Sequence, residues 1–251
     1  MATPSIKVVI PARYGSSRLP AKPLLKINNK PIFWHVAQRV QEAGVCLTDI
    51  IIATDHSDIE HAAKALNLPV ILTATEHVSG TDRVNEVAKK LSWPSDTLII
   101  NVQGDEPLIP PQLIKKLISF TRVNPEFAIT TAATPIKAYQ DFINTNVVKA
   151  VTNEANHALY FTRSPAPLNR DDPQDLTHAK RHIGIYVYKA SALNTLCGLP
   201  ESQLERLEKL EQLRALSNGL TIGVMNFNAD IPHGIDTQQD YSHIKSIMEK
   251  L

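Results

Sequence analysis

The first hundred residues alternate between short apolar runs, rich in β-branched side chains, and longer segments whose apolar residues repeat at helical spacing. In the first long segment Ile32, Val36 and Val40 lie four positions apart, which predicts an amphipathic helix ending near Gly44. The apolar runs predict four buried strands, at residues 6–10, 49–54, 69–72 and 97–102. This βαβαβ order is typical of the α/β class, with a doubly wound, mostly parallel, Rossmann-like sheet and right-handed crossovers.

The middle of the chain lacks this alternation of strands and helices. Apolar runs separated by polar connections predict strands at 127–134, 147–151, 158–161 and 183–188. We therefore expect a smaller antiparallel lobe at 131–189, projecting from an α/β core made of residues 1–130 and 190–251. A lobe of this kind commonly holds a second substrate or a contact between subunits. A further strand at 220–225 and a last helix ending near Lys250 complete the predicted core.

Composition restricts the class of protein without identifying it. Of the 251 residues 43% are hydrophobic and 20% are charged, and the formal net charge is +1. A charge so close to zero predicts no bulk attraction to nucleic acid or to a membrane surface. The chain shows neither a signal peptide nor an apolar run of about 20 residues that would span a bilayer. Cys46 and Cys197 have no CxxC spacing, so we expect two reduced thiols in a cytoplasmic protein.

The segment that follows the first strand reads IPARYGSSRLPAKP and combines flexible backbone with three cations. Gly15-Ser16-Ser17 offers backbone N–H donors, and Arg13, Arg18 and Lys22 supply positive charge. A loop at the carboxyl end of the first strand is where α/β sheets bind ligands, so the segment suits a polyphosphate. Neither GxxxxGK[ST] nor GxGxxG occurs here. From composition alone, a solvated basic turn is an equally good interpretation.

Two further motifs follow the third and fourth predicted strands. Residues 79–83, SGTDR, open a helix whose amino end can bind an anion or a nucleobase, although Ser79 or Thr81 can also be a simple helix cap. Residues 103–107, QGDEP, place Asp105 where it can hold a divalent cation beside a triphosphate. The competing interpretation of Asp105 is a cap for the helix that begins after Pro110-Pro111.

The second half of the chain carries cations beside strands and a leucine-rich helix. Arg163 and His182 flank predicted strands of the lobe, which is compatible with a carboxylate-binding pocket. Ser202 and Glu205 form a capping-box pattern, and leucines then recur every three residues from 204 to 216. Such a helix is apolar on several sides, so we expect it to be buried. Glu211 would then need a partner, which a salt bridge to Arg206 or Arg214 would supply.

These motifs together resemble the 3-deoxy-manno-octulosonate (Kdo) cytidylyltransferases over nearly the whole chain. The matching strings are RxxSxRLPxKP at 13–23, SGTDR at 79–83, NVQGDEP at 101–107, ALYFTR at 158–163, RHIGIY at 181–186, LEQLR at 210–214 and GIDT at 234–237. The resemblance implies the nucleotide-diphospho-sugar transferase type of fold. It also implies transfer of a cytidylyl group from CTP to Kdo, with release of pyrophosphate, for lipopolysaccharide synthesis.

The resemblance assigns roles to individual residues and implies Mg²⁺ as cofactor and a homodimer formed through the smaller lobe. The implied catalytic residues are Lys22, Asp105 and Asp236, of which Asp105 and Asp236 hold the metal and Glu106 is a secondary candidate. The implied nucleotide-binding residues are Arg13, Ser17, Arg18, Lys22, Ser79, Arg83 and, at the base, Gln103. The implied sugar-binding residues, for the carboxylate and hydroxyls, are Arg163, His182, Tyr186, Glu211 and Gln212.

The chain departs from the family pattern mainly on the sugar side. Residues 164–170 read SPAPLNR instead of an I-P-[WF]-x-R string, and Gln238-Gln239 replaces the usual Pro-Glu after GIDT. These departures leave the sugar open between Kdo and its 8-amino analogue. Competing hypotheses are a cytidylyltransferase for sialic acid or methylerythritol phosphate, a glycosyltransferase, and a non-catalytic nucleotide sensor. A glycosyltransferase would not explain the cationic loop, and a sensor would have lost the metal carboxylates.

Overall fold

A computed structural model describes residues 4–15, 19–77, 79–229, 231–232 and 234–250. Within these ranges the chain forms eleven strands and nine α-helices. The strands are β1 (Ile6–Pro11), β2 (Lys26–Ile27), β3 (Lys30–Pro31), β4 (Ile50–Thr54), β5 (Val70–Leu72), β6 (Leu98–Asn101), β7 (Ile129–Pro135), β8 (Lys149–Thr152), β9 (Ala158–Thr162), β10 (Lys180–Lys189) and β11 (Ile222–Asn226). The helices are α1 (Ile32–Glu42), α2 (Ser57–Ala65), α3 (Gly80–Lys90), α4 (Pro111–Val123), α5 (Tyr139–Ile143), α6 (Ala190–Gly198), α7 (Gln203–Glu208), α8 (Gln212–Ser217) and α9 (Gln238–Met248). Two short 3-10 helices, Lys22–Leu24 and Leu47–Asp49, precede α1 and β4.

The chain divides into two compact units. The first unit comprises Met1–Lys116 and Ile231–Leu251, and the second comprises Leu117–Asp230. Their boundaries differ from those of the core and lobe expected from the sequence at residues 130 and 190, and that functional division stays a prediction. The mixed α/β class with a mostly parallel sheet and antiparallel pairs is confirmed.

The first unit is built on four parallel strands in the spatial order β6-β1-β4-β5. The chain runs outward from β1 through β4 to β5 and then returns to the other side of β1 to form β6. The strand order therefore reverses between β1 and β6, and α/β sheets bind their ligands beyond the carboxyl ends of strands at such a point. The loops after β1 and β6 begin at Ala12 and Val102.

Burial explains why the apolar runs of the first unit form strands. Val8, Val9 and Ile10 of β1 are fully buried, and all residues of β4 and β6 are buried as well. Strands buried on both faces need continuous apolar runs instead of alternation, because helices cover the sheet. In α1 the residues predicted to face the core, among them Ile32, Val36 and Val40, have no exposed surface.

A hairpin and the last helix bring the end of the first unit back to its beginning. Strands β2 and β3 are joined by Asn28 and Asn29, which both have positive φ (47° and 62°), as a tight two-residue hairpin requires. Ile27 packs in one buried apolar cluster with Ile244 and Met248 of α9. The Tyr241 hydroxyl also donates to the Lys26 carbonyl at 2.7 Å. This packing fixes the segment just before α9.

The second unit holds a sheet that is largely antiparallel. Strand β7 pairs antiparallel with β10 and parallel with β11, and β8 pairs antiparallel with both β9 and β10. The predicted strands at 127–134, 147–151, 158–161 and 183–188 are therefore present with shifted ends. The pairing of β10 with β7 contains a register shift between Ile183 and Tyr186.

The single leucine-rich helix predicted after Ser202 is wrong. The capping box of Ser202 and Glu205 is present, but α7 ends at Glu208 and Lys209 has left-handed backbone, with φ 53° and ψ 47°. A second helix, α8, begins at Gln212. Leu207 is 72% exposed. The leucine repeat therefore spans two short helices with different surroundings.

Candidate active site

The first unit contains a cavity of about 260 Å³ at the carboxyl ends of β1 and β6. The cavity brings together seven residues that the sequence predicted for nucleotide or metal binding: Arg13, Lys22, Ser79, Arg83, Gln103, Asp105 and Asp236. Ser17 and Arg18, predicted for the same site, lie outside the described residues. The position of the cavity agrees with the reversal of strand order between β1 and β6.

Lys22 is the centre of the charged groups in this cavity. Its Nζ donates to Asp105 Oδ2 at 2.5 Å, to the Ile235 carbonyl at 2.7 Å and to Asp236 Oδ1 at 3.4 Å. Only 13% of the Lys22 side chain is exposed, whereas the side chains of Asp105 and Asp236 are 31% and 50% exposed. Two carboxylates share one ammonium group, and the three side chains together keep a net negative charge.

Asp105 and Asp236 are the two carboxylates expected to bind a metal, and the fold places both beside Lys22. Asp236 precedes the capping box formed by Thr237 and Asp240, so it is not the cap of α9. The Ile235 N–H donates to the Asp105 carbonyl at 2.9 Å and ties the two segments together. Within the described ranges, no group of three or more His, Cys, Asp and Glu side chains is placed to hold a metal ion.

Gly104 allows the loop after β6 to approach the end of β1. A Cβ atom at this position would lie 2.5 Å from the Pro11 carbonyl oxygen. No side chain fits there, because the neighbour is backbone and cannot rotate away. The glycine therefore fixes the position of the Asp105 loop relative to the loop that carries Arg13.

Arg83 is buried and held by protein groups on several sides. Its guanidinium donates to Asp55 Oδ2 at 2.9 Å, to the Ala74 carbonyl at 3.3 Å and to the Thr73 hydroxyl. Asp55 Oδ1 accepts the Tyr14 N–H at 3.0 Å, so one carboxylate joins Arg83 to the loop after β1. Sequence reasoning did not select Asp55 as a site residue. One feature of the sequence could have identified it, because Asp55 directly follows a buried strand, as the loop that carries Asp105 does.

The ring of Tyr14 supplies a second attachment for the loop after β1. It stacks on the ring of His56, with 3.8 Å between centroids and 13° between planes. His56 is also the cap of α2, because its Nδ1 accepts the Asp58 N–H. The start of α2 thereby positions the loop that contains Arg13.

Ser79 and His77, near the start of α3, both form hydrogen bonds with other residues of the protein. The Ser79 hydroxyl accepts the Asp82 N–H and donates to the Asp82 carboxylate, so the capping interpretation of Ser79 is confirmed. His77 Nε2 forms a hydrogen bond with Glu86. Burial alone would raise the pKa of Glu86, but hydrogen bonds from Lys90, from the Ala74 N–H and from His77 lower this pKa to about 2.

The predicted sugar-binding residues all belong to the second unit. His182 and Tyr186 face each other with 5.4 Å between ring centroids. Burial lowers the pKa of His182 to about 3, and burial together with the Glu211 carboxylate raises the pKa of Tyr186 well above its usual value. At neutral pH the imidazole is therefore uncharged and the phenol keeps its proton. The imidazole therefore has one donor and one acceptor nitrogen, and the phenol can both donate and accept a hydrogen bond.

Arg163 is anchored by the backbone around it. Its Nε donates to the Glu208 carbonyl at 2.6 Å and its Nη1 to the Thr145 carbonyl at 2.9 Å. The Glu208 carboxylate accepts the Arg163 N–H, and the fully buried Lys149 donates to the Arg163 carbonyl at 2.7 Å. The position of Arg163 is thus fixed from three directions.

Glu211 and Gln212 lie where α8 begins. Glu211 is the residue before the helix and Gln212, which is 8% exposed, is its first residue. Arg214 forms two hydrogen bonds with Glu205, at 2.8 and 2.6 Å. The break after α7 therefore presents this pair of polar residues at a helix start instead of on the side of a long helix.

Two more expectations concern the cysteines and the possibility of a helix that spans a membrane. Cys46 and Cys197 are both free thiols. Among the described helices none has the length and apolarity needed to cross a bilayer.

Known proteins share both the sequence and the fold. Residues 7–222 match the model of a family described as cytidylyltransferase. The chain is 42% identical to the 3-deoxy-manno-octulosonate cytidylyltransferase of Cellvibrio japonicus, with 98% of each chain covered. It is also 44% identical to the enzyme of that name from Psychromonas ingrahamii, with 96% of this chain and 97% of the relative covered.

A solved structure supports the same relationship. The structure of a CMP:2-keto-3-deoxy-manno-octonic acid synthetase complexed with CTP has a TM-score of 0.90 and 38% identity, and covers 98% of this chain and 99% of its own. The family model covers most of the chain, and the identity to these relatives extends over nearly its full length. The chain belongs to the 3-deoxy-manno-octulosonate cytidylyltransferase family.

Proposed function

We propose that this protein transfers the cytidylyl group of CTP to Kdo, giving CMP-Kdo and pyrophosphate. The observation that carries the proposal is the arrangement of Lys22 between Asp105 and Asp236 in the cavity of the first unit. The relatives named for this reaction share about two fifths of their residues with this chain, and a solved relative holds CTP. The anomeric hydroxyl of the sugar acid attacks the α-phosphorus in line, and pyrophosphate leaves.

Charge in the cavity matches the charge of a triphosphate. Arg13 and Lys22 are cations that line it, and the amino end of α3 adds backbone N–H groups beside Gly80. We assign Lys22 and the cationic loop to the negative charge that develops on the leaving pyrophosphate. Gln103, near the start of the loop after β6, is assigned to the cytosine base. Catalysis then depends on positioning and electrostatics instead of a protein acid or base.

Asp105 and Asp236 fit a Mg²⁺ ion by the chemistry of their donors. Both are carboxylates, which are the hard oxygen ligands that Mg²⁺ prefers, and both already contact one cationic group. Mg²⁺ sites in nucleotide enzymes use one or two carboxylates, with substrate phosphates and water completing the coordination. Bound Mg²⁺ would neutralise phosphate charge and orient the triphosphate. Lys22, as the common partner of both carboxylates, keeps them close together.

The sugar acid is assigned to the second unit. We propose that His182, Tyr186, Glu211 and Gln212 bind its hydroxyls and that Arg163 contributes positive charge toward its carboxylate. The uncharged His182 and the protonated Tyr186 support hydroxyl binding, since their pKa values lie far from neutrality. The departures at 164–170 and 238–239 keep the 8-amino analogue of Kdo as the alternative substrate.

The biological setting is also a proposal. CMP-Kdo would serve lipopolysaccharide synthesis, and we place the reaction in the cytoplasm, where the free thiols of Cys46 and Cys197 stay reduced. We further propose a homodimer formed through the second unit. Its support is the group of large apolar side chains that this unit exposes, among them Leu159, Leu168, Leu204 and Leu207. Sedimentation at the mass of one chain would contradict the dimer.

The experiment that tests the reaction is pyrophosphate release with Mg²⁺, CTP and Kdo. UTP and ATP replace CTP in parallel assays, and sialic acid and the 8-amino analogue replace Kdo. Release that requires both CTP and Kdo supports the proposal. Release only with the amino analogue keeps the mechanism and changes the substrate. No release with any sugar acid, while CTP still binds, would overturn the proposed reaction.

A further inference from the structure

The strand that carries His182 and Tyr186 is interrupted by a bulge. Ile183 lies opposite Ala132 of β7, but Tyr186 lies opposite Thr131, the next residue of β7. Two extra residues are therefore accommodated in β10 between these pairs. In an unbroken strand, residues four apart are separated by about 13 Å. The ring centroids of His182 and Tyr186 are 5.4 Å apart. The bulge therefore occurs where two side chains of one strand lie closer together than a regular strand favours.

The hydroxyl of Thr131 lies inside this bulge. Thr131 is fully buried, and its Oγ1 is 2.7 Å from the Ile185 carbonyl oxygen, 3.1 Å from the Ile183 carbonyl oxygen and 3.0 Å from His182 Nε2. Both carbonyls belong to the bulged segment, where the regular ladder with β7 is interrupted. The hydroxyl thus offers the bulged segment one donor in place of the backbone N–H groups of a regular strand pairing.

The same three contacts determine which nitrogen of His182 carries the proton. A hydroxyl has one hydrogen, and a carbonyl oxygen can only accept. The hydrogen of Thr131 is directed to the bulge carbonyls, of which Ile185 is the nearer at 2.7 Å. The contact with His182 Nε2 is then satisfied only if the ring donates to Thr131 Oγ1. The imidazole therefore carries its hydrogen on Nε2 and leaves Nδ1 as an acceptor.

We infer that Thr131 is a positioning residue for the sugar acid: it holds the bulge of β10 and sets the ring tautomer of His182, so that Nδ1 accepts a hydrogen bond from a sugar hydroxyl. The inference rests on the proposed function for the identity of the ligand. Burial lowers the pKa of His182 to about 3, so the ring stays uncharged at neutral pH. An uncharged acceptor nitrogen repels a carboxylate oxygen. His182 is thereby assigned to a hydroxyl, and the carboxylate of the sugar acid is left to other groups.

The first test is the ring tautomer, measured on the free protein. In the protein with ¹⁵N-labelled histidine, long-range proton–nitrogen correlation spectra report which ring nitrogen of His182 is protonated, with His182→Gln used to assign the signal. The expected result is a protonated Nε2 and an unprotonated Nδ1 in the wild type and in Thr131→Ser, which keeps the hydroxyl. A proton on Nδ1 in the wild type overturns the inference. This measurement needs no substrate, so it stands even if no sugar acid reacts.

The second test separates sugar binding from nucleotide binding. Thr131→Val keeps the β-branched shape and removes the hydroxyl, and Thr131→Ser is the matched control. We expect Thr131→Val to raise KM for the sugar acid about tenfold, with KM for CTP within about twofold of the wild type. The Val variant should also show a mixed tautomer at His182. If Thr131→Val keeps a wild-type KM for the sugar acid and the wild-type tautomer, Thr131 has no positioning role.

Discussion

Lys22 and Asp105, which are 83 positions apart in the chain, form an ion pair of 2.5 Å in the cavity of the first unit. Asp236, 214 positions after Lys22, contacts the same ammonium group at 3.4 Å. The charges proposed for triphosphate and metal binding therefore already neutralise one another in part. Substrate must compete with these contacts, which makes the three residues a sensitive place for substitution.

Lys22→Met should lower kcat/KM by about a hundredfold, because the leaving pyrophosphate loses a cation that is shielded from water. Pyrophosphate release at varied CTP measures the effect. The matched control is Lys26→Met, since Lys26 is exposed and makes its hydrogen bond to Tyr241 through its backbone carbonyl. Equal losses in both variants would remove Lys22 from the triphosphate site.

Asp105→Asn and Asp236→Asn should each abolish measurable turnover while leaving the melting temperature close to that of the wild type. Each substitution removes a charge that we assign to Mg²⁺ but keeps the size of the side chain. Titration of Mg²⁺ in the presence of CTP checks the assignment independently of turnover. Asp96→Asn, at an exposed position, is the control. Near-normal activity in either site variant would show that the two carboxylates do not share a metal.

Gly104→Ala should impair both stability and CTP binding, because the new methyl group would meet the Pro11 carbonyl oxygen at 2.5 Å. The backbone has to shift, and we expect a loss of about 1–3 kcal/mol in the free energy of unfolding. Gly198→Ala is the control, since a Cβ there meets nothing within 4 Å. Urea denaturation and KM for CTP are the measurements. A Gly104 variant as stable as the control would mean that the loop after β6 can move freely.

Asp55→Asn should destabilise the first unit and weaken CTP binding. Arg83 is only 2% exposed, and Asp55 is the carboxylate that pairs with it. Leaving a buried guanidinium without that charge should cost about 3–5 kcal/mol. The Tyr14 N–H loses an ionised acceptor as well, so the loop with Arg13 should be less ordered. Asp96→Asn, at an exposed position, is the comparison, and an equal KM for CTP in both variants would exclude a role of Asp55 in the site.

The stability of the protein should fall as the pH is lowered from about 6.5 toward 3. Unfolded chains protonate His182 near pH 6.5, whereas burial lowers its pKa in the folded protein to about 3. Between these values the unfolded state binds more protons, so acid favours it, by at most about 1.4 kcal/mol per pH unit. The partial exposure of His182 reduces that slope. Denaturation of the wild type and of His182→Gln at several pH values should give the shallower dependence for the variant.

Glu86 contributes to the same trend in a lower range of pH. Its folded pKa of about 2 lies below its ordinary value of 4.5, so its stabilising contribution is complete above pH 4.5 and is lost as the pH falls toward 2. Between pH 6.5 and 4.5 the stability therefore depends on the protonation of His182 and not on that of Glu86. A Glu86→Gln variant should match the wild type in pH dependence over that upper range and differ below it.

The strands and helices of the first unit were predictable because their burial is nearly complete. The apolar runs that form β1, β4 and β6 are typical of a parallel sheet that is covered on both faces. The loops that follow such strands meet at one edge of the sheet. For this reason the sequence placed Arg13 and Asp105 correctly in one cavity. The return of Asp236 to this edge came from the resemblance to a known family, since no local pattern encodes a contact across the length of the chain.

Two features depended on backbone conformations that side-chain patterns do not encode. The repeat of leucines after Ser202 continues through Lys209, although the left-handed backbone at Lys209 ends the helix. Lysine is not a residue that usually marks such a turn. The bulge opposite Thr131 could not be predicted from the sequence either, because the two extra residues leave the apolar character of β10 unchanged.

The packing of α9 against the β2–β3 hairpin also has a consequence for protein synthesis. The loops with Arg13 and Lys22 are made early, but Asp236 reaches them only when Ile244 and Met248 dock in the apolar cluster with Ile27. A nascent chain on the ribosome should therefore fold the parallel strands well before it can catalyse the reaction. A chain truncated after residue 237 should retain those strands and lack turnover, and activity in that truncated protein would contradict this order of assembly.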